Sequence, residues 1–420
     1  MSQTVHLSSE QGHAIELCAD IHTRIAAVTG GAGTGKTLVL GHVYKELSQK
    51  HSVALCAPTG RAAKRIQELT GIKAKTIHKL LEFPNPGDEA VIIDSSDDDD
   101  AKDILVANEP KRCNSFPFDE QVIIVDESSM VGPELYGYLI AALQKKRGVI
   151  RFFGDNNQLL PVEEGDPPFR TILSKFPSVT LTYNFRSQDD IVSNAYRILH
   201  GRVPVRNDRF EVRYTETPIL DLLKFVQQNP EFGDDDHQII MPARKGAVGT
   251  ARVNPSIQVK LNKRKELIRL PRFNEEENDL VVREDDKFLW VKNDYALSLF
   301  NGEIGRVQSI NTEDGSLWIR TAEGRTLEVP PRLRTYNGYL RTMINYDPRK
   351  QLELGYAITT HKSQGSEFDT IIYCINRSNP FLLNRNNFYT AVTRARHKVI
   401  VICDRRAMGM SLRRERRDWT

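Results

Sequence analysis

The chain has 420 residues, a formal net charge of +3, 40% hydrophobic residues and 27% charged ones, enough for several domains and a sizeable core. So nearly balanced a charge excludes a uniformly basic surface, and any polyanion must be met by a local groove. No apolar run approaches the roughly 18 residues that cross a bilayer. The N-terminal MSQTVHLSSEQGHAIEL lacks a secretory signal's apolar stretch and cleavage site. The five cysteines (Cys18, Cys56, Cys113, Cys374, Cys403) have no paired or metal-ligand spacing, which reads as reduced thiols in the cytosol.

In chain order, RIAAVTG predicts a strand, KTLVLGHVYKELSQ a helix, SVALCAP a strand and GRAAKRIQELTG a helix, followed by the buried strands QVIIVDE and GVIRFFGD. Strand–helix units repeated in this way predict a parallel sheet covered on both faces. HQIIMPAR, DTIIYCIN and NNFYTAVTRARHKVIVICD restore the pattern and predict a second such sheet. Two segments interrupt it. In residues 81–120, EAVIID and DILVAN flank the acidic DSSDDDD, giving either a hairpin with an acidic tip or a solvated loop. In residues 263–350, DLVVRE, KFLWVK, EIGRVQSIN and SLWIRT alternate with Asn-Gly and Asp-Gly turn signals and predict a small inserted barrel.

The chemistry begins with GGAGTGKT: Gly30, Gly31, Ala32, Gly33, Thr34, Gly35, Lys36 and Thr37. Between a predicted strand and a predicted helix, these glycines let backbone N–H groups curl round a phosphate chain. Lys36 reaches its β- and γ-phosphates, and Thr37 ligates magnesium. VIIVDESSM ends a strand on Asp126, suited to hold magnesium through water, and Glu127, suited to polarise an attacking water. In FFGDNNQLLPV, Gln158 can bond both a γ-phosphate and water. Arg186, in LTYNFRSQ, and Arg394, in YTAVTRARHK, are candidate stabilisers of charge on a transferring phosphoryl group. Both are remote from the glycine loop, so they must come from the second domain, and closure would then follow nucleotide state.

These strings, together with APTGRAAKRI, TIHKLL, NGEIGRV and ITTHKSQGSEFD, fall in the order found in superfamily 1 helicases. From Gln11 to Ile402 the chain resembles their 5′→3′ branch, superfamily 1B, the RecD-like and Dda-like DNA helicases. The resemblance implies an α/β fold of two RecA-like P-loop NTPase domains, an inserted β-hairpin (the pin) and an inserted SH3-like β-barrel. The expected division is 1–80 with 121–180 for the first domain, 81–120 for the pin, 181–262 with 351–420 for the second domain, and 263–350 for the barrel. It implies an ATP- and Mg2+-dependent 5′→3′ single-strand DNA translocase and helicase. Such a protein would act as a cytoplasmic monomer of a bacterial or phage-infected cell, on single-stranded DNA and single/double-strand junctions. Single-strand-binding, replication or recombination proteins would be its partners.

Position by position, Gln11 resembles the glutamine that reads adenine, and Gly365 and Glu367 the motif near γ-phosphate and ribose. Pro58, Thr59, Thr76, His78, Thr360 and His361 resemble strand contacts. The threonine hydroxyls can donate to phosphates, while His78 either contacts the strand or packs inside. Trp290 and Trp318, at strand positions, are expected in a core rather than on bases. Two readings stay open beside this one: an RNA helicase or ribonucleoprotein remodeller with the same motor residues, and a nucleotide-switched binding module that does not translocate.

Overall fold

The computed structural model describes residues 7–414 except 84–109, 145–146, 162–164, 186–188, 247, 265–266, 271–278, 293, 295–296, 323 and 338–341. The expected pin hairpin and Arg186 therefore lie outside the described residues. Apolar runs form β1 (Ile25–Gly30), β2 (Val53–Ala57), β4 (Val122–Val125) and β5 (Val149–Gly154), and the shorter, more polar β3 (Ala74–Thr76) and β6 (Ser178–Leu181) join them. They assemble in the order β3-β2-β4-β5-β1-β6 with every pairing parallel. Every residue of β4 and β5 is buried, as a sheet covered on both faces requires. Leu181 pairs with Gly30 inside this first sheet, one residue beyond the expected join.

The second unit follows with β7 (Phe210–Tyr214) and β8 (His237–Met241). After the Thr250–Leu261 helix the chain leaves it to build β9 (Leu267–Leu270), β10 (Leu280–Arg283), β11 (Lys287–Trp290), β12 (Ile304–Ile310), β13 (Leu317–Thr321), β14 (Thr326–Val329), β15 (Leu333–Asn337), β16 (Thr342–Tyr346) and β17 (Leu352–Leu354). It returns through β18 (Ala357–Thr359), β19 (Phe368–Ile375) and β20 (Ala395–Cys403). The second parallel sheet is ordered β18-β8-β19-β20-β7. The inserted strands form an antiparallel sheet, β14-β13-β12-β11-β17, and two ribbons, β10-β9 and β15-β16. Trp290 is fully buried in the insert, as expected; Trp318, facing outward from β13, is 43% exposed. Cys56, Cys374 and Cys403 are buried free thiols on β2, β19 and β20.

The insert is tied to the second unit by polar groups as well as by its apolar core. Lys287 of β11 is buried, and its ammonium donates to the carbonyls of Asp234 (2.9 Å) and His237 (2.8 Å). Burial pushes this lysine down to about 7. Beside it the buried Asp286 accepts from the Tyr356 hydroxyl at 2.8 Å and the Asn262 amide at 2.8 Å. Among the described residues no helix is long and apolar enough to cross a membrane.

Candidate active site

Strand order creates the site. β4, β5 and β1 are neighbours, so the loops leaving their C-terminal ends converge, as ligand-binding loops do in open parallel sheets. The loop after β1 carries GGAGTGKT, that after β4 carries Asp126 and Glu127, and that after β5 carries Asp155 and Gln158. The second unit meets them with the opposite ends of its strands. Phe368 of β19 is in register with Ala395 of β20, so Gly365 and Glu367 stand beside Arg394 just before those strands begin.

The glycine loop turns through left-handed backbone at Gly33 (φ 80°) and Gly35 (φ 81°). A side chain at Gly35 would also strike the Gln11 amide. The Lys36 ammonium donates to the carbonyls of Gly30 (2.7 Å) and Gly31 (3.0 Å), and the Thr34 hydroxyl to Gly31 (2.9 Å). Gln11 is buried under the loop. Its amide donates to the Thr34 carbonyl at 3.2 Å, and its oxygen accepts the Ser8 N–H at 3.0 Å in a capping box.

Asp126 is buried, and its carboxylate accepts the Glu127 N–H at 2.8 Å. Burial first, then the Glu127 carboxylate, raise its proton affinity, and the Lys36 ammonium opposes them. Glu127 is held in the left-handed region (φ 49°), with one carboxylate oxygen buried and unpartnered. The Gln158 side-chain oxygen is buried and unpartnered as well. Two orphaned acceptors beside a hydroxyl and a carboxylate fit a hydrated hard cation. Among the described residues no cluster of three or more His, Cys, Asp or Glu could hold a metal alone, so such a cation would draw most of its ligands from phosphate and water.

Arg394 is 4% exposed. Its guanidinium donates to the Thr390 carbonyl (3.0 Å), the Ser366 carbonyl (3.4 Å) and the Thr393 hydroxyl (3.2 Å). Those bonds occupy three of its five N–H groups and fix the fork, leaving two donors for an anion. Glu367 pairs across the cleft with Arg65 of the first unit. Gly365 sits against that same Gly60–Thr70 helix, where a methyl group would lie 3.3 Å from Ala62 and 3.4 Å from the Thr59 hydroxyl. The resulting cleft has a volume of about 990 Å³ and is lined from both units, by Gln11, Lys36, Thr37, Asp126, Glu127, Gln158, Glu367 and Arg394 among others.

Three further residues at or beside the cleft carry no spacing signal in the sequence. Asp155, buried just past β5, shortly precedes Gln158. Phe185 lines the cleft, donates its N–H to the Gly33 carbonyl at 3.1 Å and has the Tyr183 ring edge-on at 4.8 Å. Tyr389 reaches the glycine loop from the second unit. The strings LTYNFRS and YTAVTRARHK already contained both aromatics, but nothing in their spacing separated them from core residues.

The expected strand contacts gather at strand ends. Ala57 is in register with Thr76, so Pro58 and Thr59 stand just beyond β2, beside Thr76 at the end of β3. The Thr59 and Thr76 hydroxyls accept the N–H groups of Ala62 (3.2 Å) and Lys79 (3.1 Å), which leaves each its own proton to donate. His78 is half-buried against Phe83 at 5.0 Å, and burial lowers its proton affinity. Thr360 must be corrected: it is fully buried, and its hydroxyl donates to Asn387 at 2.7 Å, out of reach of any strand. Its neighbour Thr359 is the partly exposed cap, accepting the Lys362 N–H at 3.3 Å, with His361 beside it.

Residues 6–211 match the family model for an AAA domain, and residues 354–402 match the UvrD-like helicase C-terminal domain. The chain is 31% identical to the ATP-dependent RecD2 DNA helicase of Deinococcus radiodurans over 93% of its own length and 48% of that protein. It is 26% identical to the RecD subunit of the RecBCD enzyme of Mycolicibacterium smegmatis, over 90% of this chain and 68% of that one. It therefore spans about half of the first relative and about two thirds of the second. In fold it is similar to Bacteroides Pif1 bound to single-stranded DNA (TM-score 0.54, 20% identity, 94% of this chain and 92% of that one). The Pif1 helicase of Candida albicans is a second such neighbour (TM-score 0.56, 19% identity, 96% and 98%).

Proposed function

We propose that the chain, 31% identical to a RecD2 DNA helicase over 93% of its own length, is an ATP-dependent 5′→3′ single-strand DNA translocase and DNA helicase of the RecD-like superfamily 1B group. One observation carries the reading: a single cleft is lined by Lys36, Asp126, Glu127 and Gln158 from one parallel-sheet unit and by Glu367 and Arg394 from the other. Hydrolysis at such a cleft requires both units, so turnover and the spacing between them are linked.

In this reading Lys36 and the loop amides hold the phosphates, and Gln11 and Phe185 flank the base. Thr37 and Asp126 would hold Mg2+, which when bound supplies charge neutralisation on the phosphate oxygens. Glu127 orients and deprotonates the attacking water. Gln158 bonds the same region, and the two spare Arg394 donors stabilise charge on the transferring group. Arg186 is proposed as a second guanidinium from the sequence, as a charge stabiliser in LTYNFRSQ. The strand runs over Pro58, Thr59, Thr76, His78, Thr359 and His361. The proposed division puts residues 1–80 and 121–181 in the first domain, 182–262 and 355–420 in the second, and the β insert between them, an assignment supported by sheet membership. The insert is read as the SH3-like element, on its short antiparallel strands around Trp290. A soluble monomer working at single/double-strand junctions completes the proposal.

The deciding experiment is strand displacement on 5′-tailed, 3′-tailed and blunt substrates, in DNA and in RNA. The proposal expects ATP-dependent displacement of the 5′-tailed DNA only. Displacement of RNA alone establishes the RNA reading. Strand-dependent hydrolysis with no displacement, and with no removal of streptavidin from a biotinylated end, establishes the switch reading.

A further inference from the structure

The Arg385–Val392 helix of the second unit docks on the 155–160 loop of the first through side chains that the hydrolysis scheme does not use. Asn386 donates to the Asn157 carbonyl at 2.9 Å, and the Thr390 hydroxyl accepts the Leu159 N–H at 3.0 Å. Gln364, just before β19, donates to the Leu159 carbonyl at 3.1 Å. Tyr389, between Asn386 and Thr390, donates its hydroxyl proton to the Asp155 carboxylate at 2.8 Å.

The same Tyr389 oxygen also accepts the N–H of Ala32 at 2.9 Å. Tyr389 and Asp155 are both buried. Burial and the adjacent carboxylate hold the phenol far above its ordinary range, so it stays protonated and bridges amide and carboxylate. Tyr196 stacks edge-on against Tyr389 at 6.5 Å and lies so close to Gly31 that a side chain there would collide with its hydroxyl. Amides of a glycine-rich phosphate loop are the groups a bound phosphate chain needs. Here one of them is committed to a side chain of the other unit.

We propose that Tyr389 is a positioning residue through which the second unit detects the terminal phosphate: the phosphate competes for the Ala32 amide, the Tyr389 hydroxyl releases it, and the docking on the 155–160 loop is reset. This rests on the nucleotide reading given above. A ligand shifts a conformational equilibrium only by its differential interaction with the two states. A diphosphate that leaves Ala32 to Tyr389 supplies none, and a triphosphate that takes the amide does.

Tyr389→Phe keeps the ring and removes only the competing hydroxyl. The measurements are equilibrium affinities for ADP and for a non-hydrolysable ATP analogue, and the stimulation of ATPase by oligo(dT). The ratio of analogue to ADP affinity should rise roughly three- to tenfold, the range of one net hydrogen bond, and strand stimulation should fall. Asn386→Ala cuts the docking without touching Ala32, so it should lower stimulation while the affinity ratio stays as in the unsubstituted chain. Hydrogen exchange of the unsubstituted chain reads the same event without a variant: amides of 385–392 should exchange faster with the analogue than with ADP. An unmoved ratio in Tyr389→Phe, or equal exchange with both nucleotides, overturns the proposal alone. An unsubstituted chain that binds no nucleotide overturns the site reading and this proposal with it.

Discussion

Replacing Arg394 by glutamine removes a guanidinium that is 4% exposed and already fixed by three bonds to its own unit. Little reorganisation is needed before its two spare donors meet developing charge, and little water competes with them. An arginine so placed contributes about 10³–10⁵ in rate, or about 4–7 kcal/mol of barrier. The substitution also leaves the Thr390 and Ser366 carbonyls short of a donor, a stability cost of about 1–3 kcal/mol, so the assay belongs well below the melting temperature. The assay is single-turnover ATP hydrolysis with saturating oligo(dT), beside an equilibrium titration of nucleotide affinity. Hydrolysis should fall by at least about 10³, with affinity changed by less than about tenfold, because the interaction matters most as bonds break. Arg394→Lys keeps a charge but not the planar fork, and should recover only a small part of the loss. A folded Arg394→Gln chain hydrolysing ATP within about tenfold of the original would refute the reasoning.

Three further outcomes are expected. Lys36→Ala should abolish hydrolysis and weaken nucleotide binding by about 2 kcal/mol, a charge-assisted contact, with an unchanged circular dichroism spectrum; retained turnover places the chemistry elsewhere. Glu127→Gln should bind ATP yet hydrolyse it about 10²–10⁴ times more slowly, so that unhydrolysed nucleotide accumulates on the protein in a filter assay. Lys287→Met should change the pH dependence of unfolding. With its proton affinity lowered from 10.5 to about 7, the folded chain binds fewer protons than the unfolded one between those values, so stability rises with pH across that window and the full cost is felt below it. At about 1.4 kcal/mol per tenfold the cost is at most about 5 kcal/mol; a variant with the same rise between pH 7 and 10 would remove Lys287 as its source.

The glycine loop and the acidic strand end were legible because their chemistry needs fixed residue types at fixed short spacing, and VIIV and VIRFFG announced fully buried strands by composition alone. The triplet β3 was too short and too polar to signal itself. Alternation along ITTH does not reveal which threonine turns inward. The contact of Thr360 with Asn387 settles that, and it exists only once β18 and the Arg385–Val392 helix are packed together. Tyr389 and Asp155 were invisible for a related reason. They are 234 positions apart, and a buried tyrosine next to a phenylalanine reads as packing until its partner is seen.

The two parallel-sheet units meet head to foot: strand tips of one face strand roots of the other. Such a contact is heterologous, with no two-fold axis relating its halves, and among the described residues it leaves one tip surface and one root surface without a counterpart. Two like folds joined in this way make one reaction chamber between them. A third unit added in the same sense would make a second chamber, so the geometry that serves a single chain here is also the one from which rings and filaments of such units are built.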